Sequence, residues 1–182
     1  YAWEQAKRWK EDSKDQLPMD ERLIQQELNE LFRSAIDDAI QRHVQSSGCD
    51  DVANYLSELL IAFSHTDRIF GIRDKFGKQL VLMKEMIAEG DLMMNAESFD
   101  REREVHRHIG DVLLFSTGLF PKFLEDVRVS ELGTKPEELG RESYLFVSSF
   151  SHGKYEQEAP VFAKLGHGFS DFSFCLKVVG DH

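Results

Sequence analysis

A chain of 182 residues with 41% hydrophobic and 30% charged residues has enough material for one domain with a real core. Its net charge of −11 disfavours duplex nucleic acid and anionic membrane surfaces as partners, because no local cluster of Lys and Arg overcomes the repulsive field. No apolar run approaches the ~20 residues needed to cross a bilayer.

The N-terminus carries no basic-then-apolar signal, and Tyr1 is not an initiator residue, which leaves open a leader removed ahead of it. The two cysteines, Cys49 and Cys175, lie far apart and do not read as a disulfide framework. The expected setting is therefore soluble and cytoplasmic.

In chain order, residues 1–18 read as an N-terminal arm. Trp3 and Trp9 sit on a short helix expected over 2–13, and Gln16-Leu17-Pro18 breaks it. The remainder, 19–182, reads as a single helical-bundle domain. From 19 to 45, Leu23, Ile24, Leu28, Leu31, Phe32, Ala35, Ile36, Ala39, Ile40 and Val44 recur at helical spacing opposite a charged face, so they should be its buried side. Ser46-Ser47-Gly48 ends that helix.

Asp50 or Asp51 can cap the next helix, whose inner face is Val52, Tyr55, Leu56, Leu59, Leu60 and Phe63. Gly71 to Gly77 reads as a loop. A third long helix is expected over 77–94, with Leu80, Leu82, Met83, Met86 and Ile87 inward. Ser98 is the natural N-cap of a fourth, ending at Thr117-Gly118. Pro121 opens a short fifth, Lys135-Pro136 starts a sixth that runs to His152-Gly153, and one last helix runs from about 156–160 to Val179. No strand alternation emerges. The fold class is all-α: six or seven helices, an up-down core of three or four long ones, and the C-terminal helices packed across it.

Chemistry concentrates in residues 104–121, where Glu104, His106, Arg107, His108 and Asp111 lead into an apolar segment. Glu104, His108 and Asp111 stand at i, i+4 and i+7, one helical face. Carboxylate and imidazole one turn apart can hold a divalent metal or trade a proton. The plainer alternative is ordinary ion pairing, with Glu104 supporting His108 and Asp111 meeting Arg107 or Arg103. His65 and Glu58, with Asp51, share a face of the second helix and could complete a metal set, although no Glu-x-x-His motif is present around His106 or His108.

The 14 phenylalanines thicken toward the C-terminal half. They make either a bulky core or a pocket for an apolar or amphipathic ligand, lined by His108, Asp111, Phe115, Tyr144 and Phe169, with Tyr155 as a further polar handle. Phosphate-loop, dinucleotide and serine-hydrolase motifs are absent, as is a c-type haem attachment motif. No cofactor is required by the sequence.

Arg107-His108-Ile109-Gly110-Asp111, Leu114-Phe115, Thr117-Gly118-Leu119-Phe120-Pro121, Ser143-Tyr144 and the closing helix from Phe172 to Val179 give residues 50–180 a likeness to a group of uncharacterised bacterial helical proteins. The resemblance implies an all-helical fold and no activity, and no residue inherits a role through it. The leading expectation is a non-enzymatic helical protein that acts through a protein partner or as a homo-oligomer. Small-molecule binding in the Phe-rich half and a metal-dependent enzyme are the two alternatives.

Overall fold

A computed structural model describes residues 19–44 and 48–181. The arm over 1–18, with Trp3 and Trp9, and the stop at Ser46-Ser47 lie outside the described residues. The chain is all-α, with nine α-helices and no strand among the described residues.

Helix α1 (Met19–His43) pairs with α2 (Asp50–Phe63) as a hairpin. Asp50 and Asp51 sit in the first turn of α2, at the positive end of its dipole, while the cap position itself is Cys49. Helix α3 (Thr66–Ile69) is a single turn. Helix α4 (Met83–Glu89) leads to α5 (Phe99–Leu119). Ser98 caps α5 as expected, its hydroxyl accepting the Arg101 amide at 3.1 Å, and Pro121 follows its last residues.

Helix α6 (Phe123–Asp126) and a 3-10 turn (Val129–Leu132) cross to α7 (Pro136–Ser148), which has proline in its first turn as expected. Helices α8 (Ala159–His167) and α9 (Phe169–Gly180) complete the chain. Helix α5 is the hub. It packs along α7 and α9 and touches α2 and α4; α8 lies on α7, and α9 also reaches back to α1. One continuous apolar core runs from Ile36 through Leu56, Met86, Ile109 and Leu113 to Phe162 and Leu176.

Four expectations change. The helix over 77–94 shortens to Met83–Glu89, because 72–80 folds into a hairpin-like loop. Leu80 N donates to the Ile72 carbonyl at 2.9 Å, Asp74 N to that of Lys78 at 2.9 Å, and Gly77 takes φ +82° at the tip. Leu80 is buried as expected, but by the loop and not by a helix.

The last helix is two, interrupted at Gly168. A Cβ there would stand 2.7 Å from the Phe172 ring, so glycine permits the close approach at the break. The sixth helix stops at Ser148, short of His152.

The stripe on α1 divides as well. Ile36, Ala39 and Ile40 enter the core, but Leu23, Ile24, Leu28 and Leu31 stay 53, 56, 43 and 62% exposed. Helix α2 has only 14 residues against the 25 of α1, so it cannot cover the whole of that longer face.

Candidate functional site

The side chains of the 104–111 segment are fixed by where α5 meets α2, α7 and α8. Asp111 is 8% exposed. Its Oδ1 accepts the Tyr55 hydroxyl of α2 at 2.5 Å and the Tyr144 hydroxyl of α7 at 2.8 Å. Arg107 Nε, one turn earlier, donates to the Tyr55 oxygen at 3.1 Å and stands 3.8 Å from Asp111 Oδ2. Gly110 makes room for this junction: a Cβ there would lie 2.8 Å from the Tyr144 ring.

Burial pushes the Asp111 carboxyl up, while Arg107 and the two phenol donors pull the other way. Burial, and then for Tyr144 the Asp111 charge, hold both phenols well above their ordinary value, so both remain protonated donors. Burial alone would lower Arg107; the Tyr55 oxygen and Asp111 more than offset it and keep the guanidinium charged. The four groups share donors and acceptors between three helices.

His108 turns away from Asp111. Its Nε2 is 3.0 Å from the Ile69 carbonyl, which can only accept, so the ring carries its proton on Nε2. Burial lowers its pKa to about 4; the Ile69 bond opposes that shift and Arg107 and Arg101 reinforce it. The ring is therefore neutral at neutral pH.

Glu104 does not support His108. It receives Arg101 Nη1 at 3.0 Å, and the same guanidinium holds Glu89 at 2.9 Å and the Arg73 carbonyl. His65 is exposed at the entry to α3, and Glu58 is exposed on an open groove of about 570 Å³ between α1 and α2 that Arg33, Asp37 and Asp38 also line. The expected metal set of Glu104, His108, Asp111, His65 and Glu58 is thus distributed over different partners. Among the described residues no group of three or more His, Cys, Asp or Glu side chains is disposed to hold a metal ion.

The expected ligand set of His108, Asp111, Phe115, Tyr144 and Phe169 is packed against the protein's own rings. Phe115 sits 5.1 Å from Phe63 and 5.4 Å from Phe120; Tyr144 sits 5.9 Å from Phe162 and 6.1 Å from Phe169. Tyr155 donates to Asp100 at 2.8 Å, and its ring face lies 3.8 Å from the Arg103 guanidinium, which also binds Glu158 at 2.8 Å.

Sequence reasoning missed Tyr55 as the partner that completes the Asp111 junction, and it missed Arg101 as a clasp. Tyr55 was legible only as an inward position of α2. No spacing rule joins it to Asp111, 56 residues later. The fold and this buried junction define an all-α protein whose polar core ties three helices together. No family model, no curated protein and no solved structure matches the chain.

Proposed function

We propose that this protein is a non-enzymatic interaction module whose docking surface is the uncovered half of α1, and that its partner is an amphipathic helix of another protein or of a second copy. The observation that carries the reading is the run Leu23, Ile24, Leu28, Leu31, all 43 to 62% exposed on one face of a single helix. Ile24, Leu28, Leu31 and Ala35 follow the 4-3-4 spacing by which helices lay apolar faces together. Scattered apolar residues on a surface need no explanation, but a contiguous strip favours contact with another chain.

Two further points support it. Asp111, Arg107, His108 and Glu104 are committed to Tyr55, Tyr144, the Ile69 carbonyl and Arg101, and the net charge of −11 steers the surface toward protein and away from nucleic acid. Burial raises both thiols, Cys175 to about 11, which leaves them inert as nucleophiles.

Proximity labelling with the wild-type chain and with a Leu28→Asp/Leu31→Asp variant tests the proposal. The expected result is at least one protein, the chain itself included, labelled by the wild type and lost in the variant at equal abundance. Identical labelling by both refutes it.

A further inference from the structure

We propose that the partner of this face is a basic amphipathic helix of a different protein, with its apolar side on Ile24, Leu28 and Leu31 and its lysines or arginines along Glu27 and Glu30. The inference rests on reading this face of α1 as a docking surface.

The border of the strip supports it first. Glu27 is exposed one turn after Ile24 and one turn before Leu31, on the edge where a helix laid along the seam brings its flanking side chains. Glu30 is exposed a turn further on, and it accepts the Gln26 side-chain amide at 3.0 Å, a contact that leaves its charge in place. Asp38 continues this edge about three turns beyond Glu27. The opposite edge is closed, because Phe32 packs against the core. An incoming helix therefore meets carboxylates along the open side of its contact.

The bases of α1 do not offset that edge. Arg33 is held by Asp37 at 2.7 Å and Arg42 by Asp38 at 3.4 Å. Among the described residues no cation pairs with Glu27 or Glu30.

A second copy fits poorly for the same reason. It brings the same glutamates to the rim and a net charge of −11 to the encounter, so like charge meets like at short and long range. A strip of four apolar side chains also falls well short of the about 20 residues a side that a standing dimer uses. A helix flanked by lysine or arginine is drawn in by the field that repels a copy, and it arrives on complementary charge.

Two dye-labelled synthetic helices test this on the full chain, with binding read by fluorescence anisotropy. Both are about three heptads long with leucine at the inner positions; one carries lysine at the flanking positions and the other glutamate. The lysine helix should bind the wild type about tenfold more tightly than the glutamate helix, and about 0.5 M salt should narrow that margin several-fold. Glu27→Lys/Glu30→Lys should reverse the order, at exposed positions where lysine is a good helix former. Leu28→Asp/Leu31→Asp should lose the lysine helix, with far-ultraviolet circular dichroism and urea midpoint held as evidence of an intact core. That variant adds two carboxylates to the net −11, so a helix merely gathered by an acidic surface would bind it as well or better.

No binding by either helix, equal affinity for both, or an order that Glu27→Lys/Glu30→Lys leaves unchanged overturns the proposal. So does lysine-helix binding that survives Leu28→Asp/Leu31→Asp. A wild type that sediments as a dimer beside a monomeric Leu28→Asp/Leu31→Asp variant also overturns it, since the strip then belongs to a second copy. If labelling is lost in Leu28→Asp/Leu31→Asp while the two helices bind alike, only the partner's charge falls and the docking surface stands. If labelling is identical for wild type and variant, the docking surface falls and this inference with it.

Discussion

Asp111 shows how one carboxylate can order three helices. Its Oδ1 is shared by two phenols from two other helices, and Arg107 closes the set. Asp111→Ala leaves two buried hydroxyls without their acceptor and the Arg107 charge without its carboxylate, and should cost about 3 kcal/mol. Tyr144→Phe removes a single donor and should cost about 1 kcal/mol. Urea unfolding followed by circular dichroism separates the two. His108 gives the protein an acid sensitivity of definite sign. Its folded pKa of about 4 lies below the ordinary 6.5, so the unfolded chain takes up the proton first as pH falls. Stability is full above 6.5 and is lost as pH drops through the window from 6.5 to 4, by about 2 kcal/mol after allowance for the ring's residual solvent contact. Asp111 works the other way, because its folded pKa is raised and the folded state gains the proton first. His108→Gln keeps a donor for the Ile69 carbonyl and should flatten the urea midpoint across that window. A midpoint that still falls as steeply assigns the effect to another group.

Glycine decides how closely the elements approach. At Gly140 in α7 a Cβ would stand 2.4 Å from the Phe169 ring of α9 and 3.3 Å from Leu113 of α5, and Phe169 is itself buried. Gly140→Ala should therefore destabilise by about 2 kcal/mol through overpacking, even though alanine is the better helix former. Thermal unfolding checks this, with Gly140→Ser expected to be at least as costly. Such contacts mark what the sequence could and could not disclose. Periodicity, Ser98 and Pro136 located α5 and α7 to within a few residues, because caps and stripes are local. The hairpin-like loop at 72–80 was hidden, since Leu80, Met83 and Met86 sit three apart and imitate a helical face while Leu80 belongs to the loop. The break at Gly168 was hidden for the same reason: Leu165, Phe169 and Phe172 keep helical spacing across it, and α8 and α9 bury the same stripe on either side.

For the molecule as a whole, the all-α class was readable because 3.6-residue repetition governs nearly every segment, whereas the candidate site was readable only as a list of residues. Glu104, His108 and Asp111 do share the helix face that their spacing assigned. Which neighbour each one meets depended on Arg101, Ile69 and Tyr55, delivered by tertiary packing from other segments. The same packing left the first half of α1 uncovered, which a stripe of ten apolar positions could not foretell. Arg101 carries a final consequence. Its guanidinium grips Glu89 at the end of α4, Glu104 one turn along α5, and the Arg73 carbonyl at the base of the 72–80 loop. Ile72 and Leu80 root that loop in the core, and beside Arg101 it is held by Gln79, which donates to the Phe70 carbonyl at 2.7 Å, and by the Lys78–Glu85 pair at 3.3 Å, while Phe76 is 83% exposed at the tip. The loop is thus a flap fastened along its edges and open at its tip: wear should begin at the tip, and a nick between Asp74 and Lys78 would leave the helices on both sides standing.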